Sequence, residues 1–165
     1  MTEFDKLNRY IRKHFLIFSL AFALMLDFIP FPSPINYWLP DCTALLILYW
    51  GLHKPQKFGI GIAFIIGLIF DVGTATPLGL HALSYIAAVY VIQQNRNQIL
   101  AYSYGLQSLA VLGALLLMNL ITILVHFFES HQFVGWFIFL PSFISALLWP
   151  LLSKLILYFT QLRHL

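Results

Sequence analysis

Residues 58–84, FGIGIAFIIGLIFDVGTATPLGLHALS, decide the fold. They carry an apolar helix into a Gly/Thr/Pro turn beside one carboxylate, Asp71, and out again into a second apolar helix from Pro77. Gly59, Ala63, Gly67 and Asp71 recur at every fourth position, so one helix face bears three positions with little or no side chain and ends in an acid. Such a stripe admits another backbone at close range, and it is expected to be a packing face. Asp71 has two readings: a helix-end carboxylate in the outer interface, or a buried functional acid.

Outward from this hairpin the composition sets the class. The chain has 165 residues, 61% hydrophobic and 9% charged, which lies outside the range of soluble globular domains. Several apolar runs are long enough to cross about 30 Å of hydrocarbon. Little lies between them that could fold separately, so a single all-α integral membrane domain is expected over residues 1–165. The net charge of +3 does not point to nucleic acid, because the basic residues sit at the ends of spans. Cys42 stands alone, which excludes an intramolecular disulfide and a thiolate metal site. At the amino end, Lys6, Arg9, Arg12 and Lys13 precede an apolar run with no small-residue cleavage site after it. The run ends at Ile29-Pro30-Phe31-Pro32 and reads as an uncleaved signal anchor.

Six spans are expected, at about 15–29, 35–52, 56–71, 77–92, 106–128 and 136–157. Pro30, Pro32 and Pro34 forbid continuation of the first, and Asp27 near its far end is expected at the outer headgroups. Asp41 is placed to N-cap the second, whose apolar part is short: either residues 35–40 contribute or neighbouring helices shield it. Pro141 and Pro150 interrupt the sixth. All nine Lys and Arg fall in the amino tail, the second and fourth loops and the carboxyl end. The opposite side takes Asp27, Asp41, Asp71 and Glu129, so both termini are expected to be cytoplasmic. Trp38 and Trp136 mark the outer interface and Trp50, Tyr90, Tyr102 and Tyr158 the inner one, while Lys154 snorkels from the last span.

The strong signatures of enzymes are absent: there is no phosphate loop, HExxH, GxSxG or paired-cysteine spacing. Asp71, His81, His126, Glu129 and His131 map to the outer half, but their spacing follows no standard metal motif. Asp71 and His81 could pair as acid and base, with no recognisable nucleophile or substrate pocket. The expectation is therefore no catalysis, no cofactor and no metal. The fifth span carries Ser108, Asn119, Thr122 and His126 on about one face. Asn119 near mid-span suits an interhelical hydrogen bond of about 1 kcal/mol, and the stripe reads as helix glue, with a solute path or partner contact as the alternative. The loop at 53–57 should attract anionic lipid, by about 1 kcal/mol per basic residue.

Several runs together resemble one family. Trp38-Leu39-Pro40-Asp41, Leu48-Tyr49-Trp50, Pro55, residues 61–67 closing on Asp71, and Pro77-Leu78-Gly79-Leu80-His81-Ala82-Leu83 resemble the MreD family of rod shape-determining proteins. Ile29-Pro30-Phe31-Pro32 and Leu148-Trp149-Pro150 share in the likeness, while Leu39 stands where many members carry Arg. The resemblance implies a non-catalytic component of the bacterial inner membrane within the elongation machinery. Its implied partners are the bitopic protein MreC, the actin-like MreB, and a RodA-type polymerase with its transpeptidase. On that expectation the Gly59, Ala63 and Gly67 face packs the fifth span or the transmembrane helix of MreC. A looser likeness is to the substrate-binding subunits of energy-coupling vitamin transporters, which would make the chain a solute-binding membrane subunit with Asp71 and His81 lining an outward pocket.

Overall fold

Seven α-helices and a 3-10 turn at Trp136–Phe139 make up the main regular structure among the described residues in a computed structural model of the chain. It describes residues 3–30, 32, 38–130 and 136–161, with side chains for 14–30, 32, 38–128 and 136–158. The side chains of Lys6, Arg9, Arg12, Lys13 and Glu129, together with Phe31, Pro34, Ile35 and His131, lie outside the described residues. The order is α1 (Glu3–Asp27), α2 (Cys42–His53), α3 (Ile60–Thr74), α4 (Leu80–Gln94), α5 (Arg96–Ala101), α6 (Tyr104–Ser130), a 3-10 turn (Trp136–Phe139) and α7 (Leu140–Gln161). No strand occurs among the described residues.

Two segments, Tyr104–Phe128 and Trp136–Tyr158, are long and apolar enough to cross a membrane, and His14–Asp27, Cys42–His53 and Ile60–Thr74 are shorter apolar helices. At 1.5 Å per residue the 12 residues of α2 cover about 18 Å, well short of about 30 Å of hydrocarbon. Its neighbours make this tolerable. Residues 43–52 are all buried, because α1, α4 and α7 pack around α2 and shield it on every side. A helix buried all round needs no polar face, which is why this one is apolar throughout. Helix α4 is the second central post, packed against α2, α3 and α6.

Local chemistry sets the helix ends. At the close of α2 the Lys54 N–H donates to the Trp50 carbonyl at 2.8 Å, and Pro55 then stops propagation. Helix α3 ends at Ala75 in the left-handed region (φ 53°), and α4 starts behind Gly79 at φ 97°, a conformation that glycine adopts without strain. Pro141 is the second residue of α7, where a missing N–H costs nothing, so it begins the helix and does not interrupt it. Only Pro150 lies inside. The polar stretch after α4 is also more ordered than its composition suggests, forming the short α5.

Aromatic side chains divide between surface and core. Trp38 and Trp136 are exposed, as are Tyr90, Tyr102 and Tyr158. Trp50, expected at an interface, is only 5% exposed. Its indole N–H donates to Ser19 Oγ at 3.0 Å and its ring meets Phe15 edge-on, so it ties α2 to α1 inside the bundle. Trp149 is likewise buried, donating to Gln107 Oε1 at 3.4 Å between α7 and α6.

The two ends of the bundle differ in charge. Asp27, Asp41 and Asp71 meet where α1 and α3 finish and α2 and α4 begin. Lys54, Lys57 and Arg96 gather at the other end.

Candidate functional site

The acidic end is a set of helix caps. Asp71, 0% exposed, sits at the last turn of α3 and turns its carboxylate toward the start of α4. Oδ2 accepts from the Gly79 N–H at 2.8 Å. Oδ1 accepts from the His81 N–H at 2.9 Å and from the Thr76 hydroxyl at 3.2 Å, and lies 2.8 Å from His81 Nδ1. Gly79 is the N-cap of α4 but has no side chain to cap with, so a carboxylate borrowed from the preceding helix satisfies the free amides and meets the positive end of the helix dipole. An ionised carboxylate only accepts, which puts the His81 ring proton on Nδ1.

The same device recurs between α1 and α2. Asp27 Oδ2 accepts from the Thr43 N–H at 2.7 Å and Oδ1 from the Cys42 N–H at 3.3 Å. Asp41 Oδ1 accepts from the Ala44 N–H at 2.8 Å, as the sequence predicts for an N-cap. Three successive amides of the first turn of α2 therefore all reach carboxylates. Asp27, expected at the outer end of its span, is half-buried and turns its carboxylate to the unpaired amides of α2. The Asp41 N–H donates to Ser145 Oγ at 3.0 Å, which joins α7 to the same cluster.

Beside these caps lies a cleft of about 480 Å³, with Asp27, Asp41, Cys42 and His81 among its lining residues and Phe70 and Pro141 among its apolar walls. His81 borders it, but Asp71 does not; the acid is spent on capping behind the imidazole. The ring of Phe70 stands 4.6 Å from that of His81. Sequence reading paired Asp71 with His81 but missed the approach of Asp27 and Ser145. For the capping role of Asp71 the signal in the sequence was Gly79, a helix start with no side chain to cap with.

Two positions of the small-residue stripe are consumed inside the fold. Ala63 and Gly67 are buried, and a Cβ built on Gly67 would stand 2.3 Å from the Ala82 Cα, so the backbones of α3 and α4 touch at this point. Gly59 precedes the helix as its N-cap, and a Cβ there would meet nothing within 4 Å. The helix against Gly67 is α4, where the sequence reading offered the fifth span or the transmembrane helix of MreC. Gly73 serves a similar purpose one end further on, with the Phe28 ring against it.

On α6, Asn119 donates from Nδ2 to Ser142 Oγ at 2.8 Å and to the Ile138 carbonyl at 3.1 Å, bridging to the start of α7. Thr122 and Ser108 turn instead to their own helix, donating to the Met118 and Tyr104 carbonyls. Of Ser108, Asn119 and Thr122, it is Asn119 that bonds to another element. Among the described residues no three His, Cys, Asp or Glu side chains converge to hold a metal.

The family model described as rod shape-determining protein MreD matches residues 8–159. Over 144 residues the chain is 34% identical to the rod shape-determining protein MreD of Haemophilus influenzae, an alignment covering 87% of this chain and 89% of that one. No solved structure matches. With a match that takes in the capped acidic end, the α3–α4 contact and the basic end together, the chain belongs to the MreD family of rod shape-determining proteins.

Proposed function

We propose that the chain is a multi-pass protein of the bacterial inner (cytoplasmic) membrane, a single domain of six spans with both termini in the cytoplasm. It acts as a non-catalytic scaffold of the cell-elongation complex. The observation that carries this reading is the family match over residues 8–159. The uneven placement of Lys and Arg supports the orientation. The scaffold meets MreC through transmembrane helix faces, and through it MreB and the RodA-type polymerase with its transpeptidase. Since Gly67 is covered by α4, the partner face on α3 is the opposite one, where Ile65, Ile69 and Val72 are exposed. In a membrane such surfaces meet lipid or another helix.

In-membrane photo-crosslinking in a rod-shaped host tests this. Probes at Ile65, Ile69 and Val72 should capture MreC, and a probe at Gly67 should not. Capture from none of the exposed faces of α1, α3, α6 or α7 would remove the direct contact, and an unaltered rod outline after deletion would remove the shape role itself. A second reading, solute binding, is favoured by the cleft beside Asp27, Asp41 and His81. A small molecule co-purifying with the wild type and lost on His81→Ala would select it.

A further inference from the structure

The basic end holds a built cavity that the scaffold reading does not use. Helix α2 ends at His53, the chain turns through 54–57, and α3 starts at Ile60. Two side chains from the α4–α5 junction pin this turn. Arg96 Nε donates to the Leu52 carbonyl at 2.8 Å, which satisfies a free carbonyl at the end of α2, and Gln93 Nε2 donates to the Phe58 carbonyl at 3.0 Å. The result is a cavity of about 290 Å³ lined by His53, Lys54, Pro55, Gln56, Lys57 and Arg96.

Its charge is unbalanced. Lys54, Lys57 and Arg96 have no carboxylate partner among the described residues, where the one close contact of a basic side chain with a carboxylate is that of His81 with Asp71 at the far end. Three cations around one small space repel each other, and an anion between them relieves the repulsion. The ordered bond at Arg96 Nε fixes the guanidinium plane and leaves its other donors for a ligand. Burial lowers the basicity of His53, and the neighbouring Arg96 and Lys54 charges lower it further, so a neutral imidazole adds a hydrogen bond and no fourth charge.

The surroundings identify the source of the anion. Tyr90 on α4 and Tyr102 just after α5 are exposed on either side of the α4–α5 junction, a placement typical of the headgroup level. Directly beyond the turn, Ile60 and Phe64 are exposed along α3 and offer an apolar track for acyl chains. We propose that this cavity holds the phosphate headgroup of an anionic membrane phospholipid, with Lys54, Lys57 and Arg96 as its cationic ligands. This goes beyond the general attraction of a basic loop, because Arg96 comes from a distant part of the sequence and closes a site of defined shape.

The test uses the full chain in mild detergent, with lipid retention read by native mass spectrometry after exchange against phosphatidylglycerol or phosphatidylcholine. Wild type should retain phosphatidylglycerol selectively. The exposed loop pair Lys54→Gln/Lys57→Gln should weaken retention about 25-fold, about fivefold for each basic residue near the surface. Lys154→Gln, an exposed cation on α7, should leave it unchanged. Equal retention by the loop variant and wild type would overturn the assignment, and so would an equal loss with Lys154→Gln, which would make the effect one of general charge. Displacement of the lipid by millimolar inorganic phosphate would overturn the lipid as occupant and leave a soluble anion. Arg96→Lys, which keeps the charge but loses the fixed fork, should reduce the preference for phosphatidylglycerol, and an unchanged preference would overturn the part assigned to the guanidinium.

Discussion

Gly67→Ala tests the packing of the α3–α4 hairpin most directly. The added Cβ would lie 2.3 Å from Ala82 Cα, 2.5 Å from Ala82 N and 2.9 Å from the His81 carbonyl carbon, all inside the 3.0 Å that real Cβ contacts essentially never cross. All three are backbone atoms of α4, so no side chain can rotate aside and the helices must part. Overpacking costs about 1–3 kcal/mol, and the upper end applies here because separating the helices also stretches the Asp71 bonds to Gly79 and His81 one turn away. Alanine opposes this with a helix propensity better than glycine by about 1 kcal/mol. Strain wins, and the net loss is about 2 kcal/mol, or about 4–8 °C in Tm for a chain of this size. Gly61→Ala is the matched control. A Cβ there meets nothing within 4 Å, so the propensity term acts alone and stabilises by up to about 1 kcal/mol. The measurement is equilibrium unfolding of both variants in mixed detergent micelles. Shifts of the same sign would refute the close approach of α3 to α4.

The capping role of Asp71 leads to a second expectation. Asp71→Ala leaves the half-buried amides of Gly79 and His81 without their acceptor and should cost about 2–4 kcal/mol in the same unfolding assay; a loss below about 1 kcal/mol would show that the carboxylate does not hold α4. On α6, Asn119→Leu and Ser142→Ala should show a coupling of about 0.5–1.5 kcal/mol in a double-mutant cycle, and zero coupling would break the proposed bridge to α7. Thr122→Val should stay within about 0.5 kcal/mol of wild type, since its hydroxyl serves only its own helix.

The residues differ in how far their roles could be read before folding. Asp41 was legible as an N-cap because the bond to the Ala44 amide spans three positions, a distance fixed by the helix itself. The spacing of Gly59, Ala63 and Gly67 likewise fixes a small-residue face through the 3.6-residue period alone. Which helix fills that face does not follow from the period. Asp27 shows the limit most clearly: its bond to Thr43 joins two different helices 16 positions apart, so its direction depended on where α2 would dock. Trp50 misled for a related reason, because an indole suits a wet interface and a buried hydroxyl equally well.

Composition and periodicity alone determined that this chain is helical and apolar, and that its charged residues favour opposite ends, because these depend on residue type and on neighbours a turn away. Tertiary structure decided that α2 is enclosed, that Asp71 and Asp27 cap helices other than their own, that Gly67 touches α4, and that Arg96 closes the basic turn. Each of these joins groups that no helix period relates. An unpaired amide, a missing side chain or a free carbonyl creates the need for a partner, and only packing selects which residue meets it.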